Sequence, residues 1–222
     1  MEMIAESFQL GGFWMYIILA VSIIALAIII ERFVFLFFKY NINGEAFMAQ
    51  VQKLVMQNNI DRAIKLCNAA PDKALARVVK AGLTRANKSE IEITNAVEEA
   101  TLEVMPLINK RLNNLPILAN VATLMGLLGT IIGMISAFKG LSAVSADKRQ
   151  EVLSTGISVA MYTTAFGLLV AIPTLLCHIV LNNMARKIVD EIDQYSAKLE
   201  NLLISRLKAG ISRGAEDRPA SS

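Results

Sequence analysis

The sequence predicts an all-α integral membrane protein with three transmembrane helices and extended cytoplasmic helices. Hydrophobic residues make up 55% of its 222 positions and charged residues only 18%. With a mean hydropathy of +0.50, the chain is too apolar for an ordinary soluble domain. The charges are also unevenly spread. Residues 13–30, 112–138 and 152–185 contain no Asp, Glu, Lys or Arg, and each run is long enough to cross a hydrocarbon layer of about 30 Å as a helix. A β-barrel is excluded, because its strands would alternate polar and apolar residues in pieces of about ten.

The first twelve residues, MEMIAESFQLGG, carry Glu2 and Glu6 and no basic residue. That is the wrong flank for a secretory signal, so the first span, 13–39, is expected to stay in the mature protein. Lys and Arg number ten over residues 41–111, seven over 182–222 and three (Lys139, Lys148, Arg149) over 139–151. The positive-inside rule then places residues 1–12 and the hairpin 140–152 outside. It places the segment 40–112 and the helix 182–209 in the cytoplasm. Glu31 and Arg32 close the first span at the inner interface, where they anchor it. The net charge of +3 is no nucleic-acid signal, because acids and bases interleave and no aromatic-studded basic patch occurs.

In the segment 40–112, Phe47, Val51, Leu54 and Val55, then Ile60, Ile64 and Cys67, recur at helical spacing on either side of Asn58-Asn59. That pair marks a turn between two short helices, and Ala69-Ala70-Pro71-Asp72 interrupts the pattern again. A further helix is expected over 73–85. Ser89 followed by Glu92 has the form of a capping box, opening a long helix that runs directly into the second span, 113–139, with a kink at Pro106. After the third span, 153–181, an amphipathic stripe of Ile188, Ile192, Tyr195, Leu199, Leu202 and Leu203 carries that helix past the membrane. The tail, 210–222, reads as disordered. Cys67 and Cys177 fall in different segments and read as two inert buried thiols rather than a disulfide.

With one histidine, no glycine-rich phosphate loop and no Cys/His cluster, the chain offers no catalytic set and no metal or cofactor site. The chemistry lies in the second and third spans. Small residues fall at Ala122, Gly126, Gly129, Gly133 and Ala137, and again at Gly156, Ala160, Thr164, Gly167 and Ala171. Such stripes let helix backbones approach closely in a bilayer, so the two spans should pack as an antiparallel pair. Thr130, Thr163 and Thr164 then converge at similar depth. Two readings stand for these hydroxyls: each returns to a carbonyl of its own helix and is structurally quiet, or together they line an ion path. Thr123, Val159, Tyr162 and His178 are further candidates for lining it. For His178, near the inner end, the readings are an acceptor of departing protons or an interfacial residue bonding a headgroup or neighbour. With no Asp, Glu, Lys or Arg in either span, protons moving here need a titrating group from another subunit. A membrane scaffold and a self-sufficient channel are the other function classes. The channel is weakened by the absence of broken half-helices.

The stretches GLLGTIIGM, GISVAMYTTAFGLLVAIP and IIIERF resemble the MotA/TolQ/ExbB family of ion-channel motor subunits, over all three spans and in the same order. Three spans with a modest inner loop resemble its ExbB/TolQ side, whereas the MotA side would add a fourth span. The resemblance implies an inner-membrane pentamer enclosing the single spans of two copies of an ExbD- or TolR-like partner. That partner carries the membrane aspartate that binds the ion, and Thr130 and Thr164 match threonines that face it. Ion passage, of H+ or alternatively Na+, turns one ring against the other and drives a periplasmic or outer-membrane machine. Val159 stands where the ExbB and TolQ branches usually have glutamate, and Thr123 where proline is usual, which points towards another branch such as the gliding-motility motors. The Thr163-Thr164 pair resembles sodium-driven flagellar stators, with Thr163 as a sodium ligand. Protons rank first, because one extra hydroxyl is also satisfied by its own helix.

Overall fold

The computed structural model describes the backbone of residues 2–40 and 43–216 and the side chains of residues 13–38 and 43–208. Its described residues are helical or in turns. The helices are α1 (Glu2–Val34, continued by a π-helical turn Phe35–Tyr40), α2 (Gly44–Met56), α3 (Ile60–Asn68), α4 (Ala74–Thr84), α5 (Glu90–Asn109), α6 (Asn114–Leu141) and α7 (Arg149–Glu216). Three stretches are long and apolar enough to cross a membrane: Phe13–Phe38, Glu90–Leu141 and Ala146–Lys208. The all-α membrane class read from the sequence therefore holds. Two compact units form, one from Met1–Phe33 with Arg111–Leu181, the other from Val34–Lys110 with Asn182–Ser222.

In the first unit, α1, α6 and α7 pack through Ile18, Ala122 and Val170, with Val21, Met125 and Phe166 partly buried around them. The α6–α7 seam is built from absent side chains. A Cβ added at Gly167 would lie 2.7 Å from the Ala122 carbonyl oxygen, one at Gly133 would lie 3.0 Å from the Ala160 Cβ, and one at Gly156 would land on Ala137. Residue numbers rise along one helix as they fall along the other, so the pair is antiparallel. Because lipid tails are as apolar as leucine, the seam is held by such close packing rather than by release of water.

At the end of α1, Glu31 and Arg32 do more than anchor. Arg32 is only 2% exposed and donates to Glu31 Oε1 at 2.8 Å, while Arg111 pairs with Glu31 Oε2. One carboxylate thus ties α1 to the residue just ahead of α6. Arg111 has a φ of +60°, a left-handed conformation uncommon for a non-glycine residue. The expected continuous helix into the second span is therefore corrected: the chain turns between α5 and α6, while Pro106 sits inside α5 without ending it.

In the second unit, α2 to α5 bury one face each: Phe47, Val51 and Val55 on α2, Ala63 and Cys67 on α3, Val78, Val79 and Leu83 on α4, Ile93, Val97 and Val104 on α5. Ile188, Ile192, Leu199 and Leu203 of α7, four of the six residues of the stripe read from the sequence, are buried as well. Gly82 marks the closest approach, since an added Cβ would stand 2.8 Å from Val97 Cγ2 and 3.0 Å from Leu199 Cδ2. Asn58 adopts φ +61° between α2 and α3, as the Asn-Asn turn predicts. The capping box forms too: Glu92 N–H donates to Ser89 Oγ at 3.4 Å and Ser89 N–H to Glu92 Oε2 at 3.2 Å. Both cysteines are free, and burial pushes the Cys67 thiol up to about 11 with Lys80 opposing, so it is inert at neutral pH. The backbone of α7 continues to Glu216, past the helix end expected at 209. Residues 217–222, the rest of the expected disordered tail, lie outside the described residues.

Burial, and then the like charge of Glu98, hold the Glu200 carboxyl above its ordinary value of 4.5, against a hydrogen bond from Thr94. A carboxyl raised in the folded state costs stability as pH rises from the unfolded value through the folded one, and costs nothing below both. Glu200→Gln is therefore expected to raise the melting temperature of the detergent-solubilised protein at pH 7 and to leave it unchanged near pH 4. An equal shift at both pH values would contradict this.

Candidate functional site

The site is a consequence of the seam. Because Gly126 lacks a side chain, Thr163 O and Thr164 Cα come within 3.0 Å and 3.2 Å of where its Cβ would sit. The threonine hydroxyls of both helices then reach the same backbone oxygens. Thr130 Oγ1 lies 3.1 Å from the Gly126 carbonyl one turn back on α6 and 3.2 Å from the Ala160 carbonyl on α7. Thr164 Oγ1 crosses the seam to the Gly126 carbonyl at 3.1 Å. The hydroxyls of Thr130 and Thr164 are in direct contact. Thr163 is 2% exposed; its hydroxyl lies 2.7 Å from the Ala160 carbonyl of its own helix and 3.3 Å from Gly126 O.

Counting protons shows what this arrangement can do. Each hydroxyl has one proton to donate and two lone pairs to accept with. Thr163 spends its proton on Ala160 O, the shorter of its two contacts, leaving Gly126 O to Thr130 and Thr164. In one arrangement Thr130 donates to Thr164, which donates to Gly126 O. In the other Thr164 donates to Thr130, which donates to Gly126 O or Ala160 O. The pair therefore reverses its polarity by rotating two hydroxyls, without moving either helix.

Thr130, Thr163 and Thr164 are thus brought together, with Gly126 and Gly129 beneath them; a Cβ at Gly129 would lie 2.8 Å from Thr163 Oγ1. The remaining candidates stand apart. Thr123 donates to Ala119 O of its own helix at 3.1 Å, and Tyr162 is 42% exposed outside the cluster. Val159 lines a groove on the seam. His178 lies fourteen residues, about 21 Å, along α7 from Thr164; its Nδ1 is buried with no hydrogen-bond partner among the described residues. No group of three or more His, Cys, Asp or Glu among the described residues is placed to hold a metal ion. The own-helix bonds of Thr130 to Gly126 O and of Thr163 to Ala160 O follow the quieter of the two sequence readings, whereas the sharing of those carbonyls across the seam was not read. The signal for the own-helix bonds was present in spacing, since threonines commonly bond the carbonyl three or four residues back.

The family model of the MotA/TolQ/ExbB proton channel family matches residues 70–194, more than half of the chain. The chain belongs to the MotA/TolQ/ExbB family. An ExbB-like biopolymer transport protein of Synechocystis is 34% identical over 75% of this chain and 79% of its own length. Biopolymer transport protein exbB1 of Vibrio cholerae is 40% identical over 43% of this chain, and the match spans only 39% of that relative's length. A chain in the solved structure of C. jejuni MotAB shares the fold, with a TM-score of 0.66 over 97% of this chain and 89% of that one at 17% identity. The chain is thus a multi-pass membrane member of the MotA/TolQ/ExbB family.

The seam can be tested by moving a methyl group across it. Gly156→Ala alone should destabilise the solubilised protein by about 1–3 kcal/mol through overpacking, despite alanine's better helix propensity. Adding Ala137→Gly should restore most of that loss. Additive losses in the double variant, read by thermal melting, would rule out the contact.

Proposed function

We propose that this chain is the ion-channel subunit of a rotary motor of the inner membrane, driven by ion-motive force and obligately partnered. Five copies enclose the single spans of two copies of an ExbD- or TolR-like protein, whose membrane aspartate binds the ion. The N-terminus and the 140–152 hairpin face the periplasm, and the second unit with the C-terminus faces the cytoplasm. The motor catalyses no covalent reaction and takes no cofactor. Its load is a periplasmic or outer-membrane machine, of the kind that serves transport, envelope maintenance or gliding.

One observation carries the reading: the Thr130–Thr164 hydroxyl pair meets across a charge-free seam, with polarity that reverses at no structural cost. A partner's carboxyl alternates between a form that accepts hydrogen bonds and a form that also donates one. The pair answers both: its free lone pairs accept from the acid, and the proton otherwise given to a backbone carbonyl turns to the carboxylate. Removal of one hydroxyl leaves a buried polar group without its partner. Protons are the favoured ion, because Thr163 is satisfied within its own helix and adds no outward hydroxyl. The sodium-driven version draws on a different observation, the convergence of three hydroxyl and two carbonyl oxygens, donors of the kind hard cations prefer.

Thr130→Val and Thr164→Val, expressed with the partner, should each lower ion-driven work by about tenfold or more while the complex still assembles. Thr130→Ser, which keeps the hydroxyl, should retain most activity. Normal work in both valine variants would return the chain to the scaffold reading. Work should persist without sodium and collapse with a protonophore, and the reverse pattern would reassign the ion.

A further inference from the structure

The second unit holds a cleft that neither the hydroxyl pair nor the helix packing accounts for. On α4, Arg77, Lys80, Ala81 and Thr84 fall at three- and four-residue spacing and so share one stripe of the helix. That stripe lines a recess of about 310 Å³ together with Cys67 and Asn68 of α3 and Ala100, Glu103 and Val104 of α5. Cys67, Ala81, Ala100 and Val104 are buried or half-buried and form an apolar floor, whereas Arg77, Lys80, Asn68, Thr84 and Glu103 are exposed and form a polar rim.

Neither Arg77 nor Lys80 pairs with a carboxylate among the described residues, Glu103 across the cleft included. Nor does the end of α3 need them, because the carbonyls of Lys65, Leu66 and Cys67 already accept from the Ala69 and Ala70 N–H groups. Lys80 nevertheless stands close to the floor: burial raises the Cys67 thiol, and the Lys80 ammonium is the charge that opposes it. Two unpaired cations one turn apart suit a group of charge about −2, which a phosphate monoester carries near neutral pH and a carboxylate does not. The arginine fork grips two phosphate oxygens and the lysine adds a point charge. Thr84 gives its proton to Ala81 O at 2.7 Å, so its oxygen and the Glu103 carboxylate are left as acceptors for hydroxyl groups. The recess holds roughly ten waters at about 30 Å³ each, the lower end of the size of small-molecule sites. That is room for a sugar phosphate or a mononucleotide.

We propose that this cleft binds a soluble phosphate monoester with a hydroxylated body, its phosphate on Arg77 and Lys80 and its hydroxyls on Glu103 and Thr84. The site lies wholly within the second unit and goes beyond the motor reading, which supplies only the compartment it faces, the cytoplasm.

The test uses the full-length solubilised chain and pyridoxal 5′-phosphate, itself a phosphate monoester. Its aldehyde condenses with a lysine amine, losing water, and borohydride then reduces the imine to a stable secondary amine. Peptide mapping is expected to find Lys80 labelled about tenfold faster than the exposed Lys110, with ribose 5-phosphate protecting Lys80 and not Lys110. Arg77→Gln should abolish that preference and Arg77→Lys should keep most of it. If Lys80 reacts no faster than Lys110, or if Arg77→Gln changes nothing while melting as the parent does, the two cations are a solvated helix face and the proposal falls. Equal protection by inorganic phosphate would overturn the hydroxyl contacts. Lys73 ties the turn ahead of α4 to the Phe38 carbonyl at the end of the first span, so a lipid headgroup is the other source of a phosphate. Protection by phosphatidylglycerol vesicles but not by ribose 5-phosphate would overturn the soluble ligand. None of these readouts involves ion-driven work, so failure of the motor reading leaves them standing.

Discussion

Two helices share one hydroxyl network inside a bilayer only where their backbones come close, and the α6–α7 seam meets that condition at its glycines. Gly126, Gly133, Gly156 and Gly167 each face backbone or an alanine of the opposite helix closely enough that an added Cβ would collide or press hard. Everything distinctive about the site follows from this spacing. It lets Thr164 reach a carbonyl on α6, lets Thr130 reach one on α7, and buries Thr163 between them. With wider packing the same threonines would each fold back on their own helix, as Thr123 and Thr174 do.

The second constraint is the absence of charge. Between residues 112 and 138 and between 152 and 185 there is no Asp, Glu, Lys or Arg, so the seam presents neutral hydroxyls whose orientation, not ionisation, changes. A neutral pair of this kind suits a carboxyl supplied by another chain, because it does not force that carboxyl towards either protonation state. The charges that the chain does hold near this unit stand at its ends: Glu31 with Arg32 and Arg111 at one, Lys148 and Glu151 at the other. Glu31 in particular joins α1 to the turn ahead of α6, which fixes the first helix against the seam without placing charge inside it.

How much of this was legible in the sequence depends on which atoms carry the information. Apolar run length and small-residue spacing are side-chain patterns, so the three membrane-crossing helices, the antiparallel pairing and the convergence of Thr130, Thr163 and Thr164 could be read directly. Local capping chemistry was equally plain at Ser89 and Glu92, and turn chemistry at Asn58. The break between α5 and α6 was not legible, because Arg111 takes a left-handed conformation that nothing in its residue type announces, while Pro106, the expected kink, is accommodated inside α5. That threonines bond carbonyls one turn back was legible from spacing, but that Thr130 and Thr164 also reach carbonyls of the opposite helix depends on how closely the backbones approach. Nor did sequence show that Arg32 is buried or that Glu31 reaches a residue eighty positions away, since a Glu-Arg pair at a membrane edge reads first as an anchor.

The central claim is that this chain supplies hydroxyls and depends on another chain for its carboxyl. It is tested most directly by the native mass of the detergent-solubilised complex, co-expressed with a single-span protein that carries one membrane aspartate. The account predicts five copies of this chain with two of that partner. A monomer or simple dimer that leaves the partner behind would contradict it, and would reduce Thr130 and Thr164 to ordinary packing residues of a membrane scaffold.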